Sequence, residues 1–217
     1  MAYECKNGFY IKDGCYIVPI HPNGLYADSY ELIDDVLKDK IGQYNKKPPL
    51  LAPVMRGGSA VFLPVSGELR KRLQKNGKID LDYVPIKASR YKPGEINVES
   101  EVNIDMNDIG QALELLKQYD EVIIIEDIFD RGKTVREIKR LLAISRKNIL
   151  TITPYVKPEA NETDMEPDYS VQPFFRKVID GKNYPPWVAF GHETDDFVGE
   201  DEELWKEMFP EFRRQPK

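Results

Sequence analysis

Cysteine and histidine are scarce in this sequence: 217 residues contain two of each. Cys5 and Cys15 sit near the start, which is neither a disulfide framework nor the paired spacing of a zinc site, so a reducing compartment is expected. His21 and His192 are isolated, with no metal-ligand spacing around either. Basic excess is missing as well. The formal charge is −6, a poor basis for nonspecific nucleic-acid binding, although a local basic pocket is compatible with it. No apolar run approaches the length of a membrane span. The N-terminus MAYECKNGFYIKDG has no basic leader with an apolar run, so a cytoplasmic, membrane-free protein is expected. What is there is a soluble globular composition, 41% apolar and 31% charged, long enough for one domain with a small appendage.

The first two dozen residues read as an aromatic-rich arm, FYIKDGCYIVPI, with Asp13-Gly14 as the turn between two apolar runs. Helical spacing of Leu32, Ile33, Val36, Leu37 and Ile41 predicts a helix over 29–44 with Asp28 or Ser29 as its cap. LLAPV (50–54) reads as a buried strand, 59–75 as a helix, LDYVPI (81–86) as a strand and IGQALELLKQ (109–118) as a helix. EVIIIE (121–126), apolar and β-branched at its centre, suits a strand buried on both faces of a parallel sheet. A loop then leads to a helix over 134–145 and a strand over 149–156. This alternation predicts an α/β fold, a mostly parallel sheet flanked by helices. Beyond residue 157 the chain turns proline-rich and irregular, with one short strand over 187–190 and a closing helix over 200–209. The expected organisation is an arm over 1–27, a core over 28–157 and a C-terminal segment over 158–217. Arm and C-terminal segment together form a small lid.

Gly132-Lys133-Thr134 follows a buried strand, but Asp127 stands where a Walker P-loop requires its first glycine. The order is instead strand, Glu126-Asp127, Asp130-Arg131-Gly132-Lys133-Thr134, helix. Two carboxylates at the carboxyl end of a parallel strand lie where α/β folds bind ligands. A glycine turn opening a helix offers unsatisfied N–H groups and the helix dipole to a phosphate. A ribose 5-phosphate satisfies both halves. The plainer reading is that the acids merely solvate the end of a strand.

VIIIEDIFDRGKTV resembles the signature of the type I phosphoribosyltransferases, and its Glu-Asp-x-x-Asp-x-Gly-Lys-Thr form is most similar to the purine-salvage branch. The resemblance implies that Glu126 and Asp127 hold the ribose hydroxyls of phosphoribosyl pyrophosphate, with Mg2+ as cofactor. It makes Asp130 the catalytic residue at purine N7, with Arg131, Gly132, Lys133 and Thr134 around the 5-phosphate. Arg131 departs from the small hydroxyl residue usual at its position. Arg56-Gly57-Gly58 resembles the family's pyrophosphate loop, and Ser89-Arg90-Tyr91 the start of a loop closing over the site, or an ordinary polar loop. Lys157, after the strand 149–156, matches the lysine that bonds a purine 6-oxygen. Lysine only donates, so it selects a 6-oxo over a 6-amino base. Trp187 matches the aromatic that stacks on the base, or is a core tryptophan of the lid. Glu193 matches a position for a second magnesium ion, a role Asp195 or Asp196 could also fill.

The implied activity is transfer of the phosphoribosyl group to a free 6-oxopurine, giving a nucleoside 5-monophosphate and pyrophosphate. The implied assembly is a homodimer or homotetramer. Two other functions fit the same motifs: a sensor that binds phosphoribosyl pyrophosphate or nucleotides without turnover, and a phosphoribosyltransferase for a different base.

Overall fold

The computed structural model describes residues 4–12, 14–55, 57–73, 80–89, 102–190 and 206–210. The chain divides into two units, residues 28–173 and residues 1–27 with 174–217. In chain order, β1 (Glu4–Lys6), β2 (Phe9–Lys12) and β3 (Cys15–Ile20) form the arm, and α1 (Pro22–Tyr44) follows. The helix starts well before the expected residue 29. Proline is tolerated in a first helical turn because its missing N–H has no intrahelical partner there. Asp28 is not a cap: it accepts hydrogen bonds from Tyr155 Oη (2.7 Å) and Gln172 Nε2 (3.1 Å).

The 28–173 unit contains β4 (Leu50–Pro53), α2 (Gly58–Leu73), β5 (Ala88–Ser89), β6 (Asn103–Ile104), α3 (Met106–Leu115), β7 (Glu121–Ile125), β8 (Ile128–Phe129), α4 (Lys133–Leu142), β9 (Asn148–Val156) and β10 (Tyr169–Pro173). The main sheet runs β10-β9-β7-β4, and every pairing in it is parallel. All five residues of β7 are buried, as an apolar strand between two neighbours requires. At its entrance, buried Glu121 accepts from Tyr44 Oη and from Lys40 Nζ (3.0 Å). Leu50, Ala52, Val122, Ile124, Ile138 and Leu142 belong to one apolar cluster between sheet and helices.

The expected strand over 81–86 is reduced to two parallel bridges on the free side of β4, Leu51 with Tyr83 and Val54 with Ile86. Leu51, Val84, Ile86 and Met55 all donate backbone N–H groups in that pairing. Pro53 has no N–H to give, and this removes the middle rung. β10, from the stretch expected in the lid, instead extends the main sheet beside β9, with Tyr169 opposite Ile152 and Pro173 opposite Val156.

In the other unit, β11 (Lys177–Ile179) and β12 (Lys182–Tyr184) make a hairpin, and β13 (Pro186–Phe190) runs parallel to β3 from Pro186–Tyr16 to Phe190–Ile20. The sheet order is β1-β2-β3-β13, so the two ends of the chain share one sheet. Ile17, Ala189, Met208 and Phe209 form one apolar cluster, and Ile11, Tyr16, Ile179 and Tyr184 another. Of the expected closing helix only 206–210 is described, with 206–208 helical. No helix among the described residues is long and apolar enough to cross a membrane.

Candidate functional site

Glu126 and Asp127 occupy the step between β7 and β8. β7 pairs with β9 as far as Ile125–Ile152, and the ladder resumes at Ile128–Tyr155. The two acids therefore leave the ladder at the carboxyl end of the central strand. They are not equivalent. The Asp127 carboxylate, 6% exposed, is turned inward against the loop after β4. A Cβ on Gly57 would overlap that carboxylate outright, and one on Gly58 would meet the Ile125 carbonyl oxygen at 2.5 Å. The two glycines thus have a steric reason: the β4 loop runs directly over the acid pair. Arg56, between β4 and these glycines, lies outside the described residues.

Burial pushes the Asp127 carboxyl up to about 6. Opposing this are the backbone N–H groups of Ile128 and of Asp127 itself, a hydrogen bond with the Glu126 side chain, and the charge of Lys157. Glu126 is the more exposed residue of the pair, although its Oε2 atom is itself buried.

Asp130 closes the next turn. Its Oδ2 lies 3.7 Å from Lys157 Nζ, which the end of β9 delivers. The Lys157 backbone N–H donates to the Phe129 carbonyl at 2.9 Å, fixing where the lysine leaves the sheet. An acceptor and a donor predicted for the same base are thereby side by side.

The turn expected to hold a phosphate leads into α4 through Gly132. Gly132 has φ +74°, a conformation that favours glycine, and caps α4 without a side chain of its own. The N–H groups of the first turn and the dipole of α4 stand at this point. The neighbourhood of the turn was not foreseen. Glu162, in the irregular stretch after β9, pairs with Arg131 Nη1 at 3.1 Å and with Lys133 Nζ. Its N–H donates to the Arg131 carbonyl at 3.1 Å. A Cβ on Gly132 would meet Thr163 Oγ1 at 2.5 Å and Phe129 Cζ at 2.9 Å. An acid five positions past Lys157, in a segment without periodicity, gives no sequence signal for this contact. The Thr134 side chain is partly exposed in the first turn of α4.

The structure brings Gly57, Gly58, Glu126, Asp127, Asp130, Arg131, Gly132, Lys133, Thr134 and Lys157 to the carboxyl ends of β4, β7, β8 and β9 within the 28–173 unit. Ser89 ends β5, pairing with Asn103 of β6, and so stands at the base of the connection expected to close; Arg90 and Tyr91 lie outside the described residues. Trp187 belongs to the other unit, on β13, where Lys12 Nζ stands 5.2 Å from the centre of its ring. Glu193, His192, Asp195 and Asp196 lie outside the described residues.

A family model described as a phosphoribosyl transferase domain matches residues 24–182. The hypoxanthine-guanine phosphoribosyltransferase of Staphylococcus aureus is 29% identical over 154 residues, 70% of this chain and 72% of its own length. That of Lactococcus lactis is 27% identical over 128 residues, 59% of this chain; the match spans 62% of the Lactococcus protein, less than two thirds of it. Among solved structures, a hypoxanthine phosphoribosyltransferase from Staphylococcus aureus superposes with a TM-score of 0.51 and 21% identity, covering 73% of this chain and 77% of the other. One from Trypanosoma cruzi in complex with the product IMP gives 0.52 and 18%, covering 72% and 79%. At these identities the structural likeness concerns the fold.

Proposed function

Since the chain belongs to the phosphoribosyl transferase domain family, we propose that it transfers the phosphoribosyl group of phosphoribosyl pyrophosphate to a free 6-oxopurine, releasing a nucleoside 5-monophosphate and pyrophosphate. The observation that carries this reading is Lys157 Nζ lying 3.7 Å from Asp130 Oδ2, beside the acid pair and the phosphate turn. A donor next to an acceptor complements a base edge that presents an acceptor next to a donor, as the 6-oxygen and N7–H of hypoxanthine or guanine do. A 6-amino base would set a donor against the lysine. Relatives named hypoxanthine-guanine phosphoribosyltransferase support the same substrate class.

In this reading the first turn of α4 and residues 131–134 hold the 5-phosphate, and the Glu126 carboxylate accepts from the ribose hydroxyls. The buried Asp127 carboxylate keeps the 57–58 loop in place for the pyrophosphate. Asp130 accepts a hydrogen bond from N7–H and takes that proton as the C1–N bond forms.

The described residues contain no group of three or more side chains suited to a metal ion. Among the described residues the Glu126 and Asp127 carboxylates are those that would hold Mg2+, with substrate oxygens and water in the rest of its shell. That fits an ion that prefers hard oxygen ligands and retains waters. Bound there, the ion would supply neutralisation of the pyrophosphate charge.

The test is a panel of hypoxanthine, guanine, xanthine and adenine, each with phosphoribosyl pyrophosphate and Mg2+, read by pyrophosphate release. Release with 6-oxopurines and not with adenine is expected. Binding of phosphoribosyl pyrophosphate without release for any base would overturn the transferase reading and leave a sensor.

A further inference from the structure

Arg131, beside Gly132 in the turn assigned to the phosphate, has a carboxylate partner. Glu162 reaches over the turn and joins the two cations that flank Gly132, Arg131 at 3.1 Å and Lys133. Its own N–H holds the Arg131 carbonyl, so the residue is anchored to the turn by main chain as well as by charge. The Glu162 side chain is 39% exposed and that of Arg131 48%, so solvent screens the ion pair and it is cheap to break. A turn that offers backbone N–H groups and a helix N-terminus to a phosphate therefore carries a carboxylate on both of its basic side chains.

We propose that Glu162 is a built-in anion that sets the affinity of this turn for phosphate. It competes with the 5-phosphate of a ligand for Arg131 and Lys133, and weakens binding of phosphorylated ligands and product nucleotides without touching the base or the sugar. This rests on the phosphate-turn assignment made above. Arg131 and Glu162 act together: the arginine adds a positive charge to the turn, and the glutamate offsets it. Product release is then assisted by a carboxylate that takes back the two cations as the phosphate leaves.

Glu162→Gln keeps the shape and the main-chain anchor while removing the charge. The experiment is titration of the parent and this variant with inosine 5-monophosphate, ribose 5-phosphate and inosine at low and high salt. Glu114→Gln on α3 serves as a control for loss of one negative charge. Glu162→Gln should bind both phosphorylated ligands about three- to tenfold more tightly at low ionic strength, with the gain shrinking as the screening length falls. Inosine affinity should stay unchanged, and Glu114→Gln should match the parent. Unchanged or weaker binding of the phosphorylated ligands by Glu162→Gln, with the parent binding them, would overturn this proposal alone and make Glu162 a buttress of the turn. A parent that binds neither phosphorylated ligand would overturn the phosphate-turn reading together with it.

Discussion

A buried carboxylate costs stability according to how completely it is cut off from water without compensating partners, and Asp127 in the candidate site is such a group. Its folded value of about 6 lies above the ordinary 3.8, so the folded protein holds this proton more tightly than the unfolded chain does. The stabilisation that accompanies the proton is complete below about pH 4 and is lost as pH rises through about 6. Asparagine at 127 has no such charge to bury. Relative to the parent, Asp127→Asn should therefore gain thermal stability between pH 4.5 and pH 7. It should also bind phosphoribosyl pyrophosphate about 10- to 150-fold more weakly, because the carboxylate that keeps the 57–58 loop in place loses a hydrogen-bonded charge of ~1.5–3 kcal/mol. Melting curves at the two pH values and a titration with Mg2+ present measure both; a stability difference that ignores pH would show that the carboxyl is not held uncharged by burial. The acid pair itself was legible in the sequence. Its asymmetry was not, because the inward turn of Asp127 depends on Gly57, which lies far away in the chain and has no side chain to reveal the contact.

Elements were readable where one physical signal dominated. β7 is apolar and β-branched at its centre, and it sits in the middle of the parallel sheet, as that pattern requires. α1 starts at Pro22 rather than at residue 29, since proline is well suited to a first helical turn. The 81–86 segment lost its strand to a residue on its neighbour, Pro53, which no inspection of 81–86 alone could show. The junction of β8 and α4 carries the most demanding local geometry. Gly132 at φ +74° excludes a β-branched residue on backbone grounds, and the space where a side chain would grow is occupied by Thr163 and Phe129. Gly132→Val should cost at least ~1–2 kcal/mol from the left-handed backbone alone. It should also abolish binding of inosine 5-monophosphate while leaving the far-ultraviolet circular dichroism of the folded chain intact. Denaturant melts and titration check the two effects. Native affinity in a folded variant would remove this turn from the phosphate site.

For the whole molecule, the alternation of strands and helices was enough to predict a parallel sheet, and the candidate site residues collect at its carboxyl edge. The sharing of a sheet by the two ends of the chain has a local basis in Pro186–Phe190 and Cys15–Ile20, both short apolar runs. The addition of β10 to the main sheet was hidden by the prolines and acids around it, although the strand alternates, with Tyr169 and Val171 half-buried between exposed Ser170 and Gln172. These differences in burial predict where the fold opens. β7 is hydrogen-bonded on both sides and its residues line the cluster around Leu50, Ala52 and Ile138, so its amides cannot reach water without loss of that cluster. The amides of Val122 to Ile125 should exchange only through global unfolding, with a free energy equal to that from denaturant melts. Those of β10 and of the β11–β12 hairpin should exchange faster, through local opening. Inosine 5-monophosphate at about a hundredfold its Kd should raise protection of β7 by ~2.7 kcal/mol, because a ligand that binds only the folded chain stabilises it against global unfolding. The same ligand should raise protection of the hairpin amides less, since local opening there breaks only the β11–β12 pairing. Hydrogen exchange read by mass spectrometry with and without the nucleotide measures all three sets. Protection in β7 no greater than in β10 would mean that the central strand is not the last element to open.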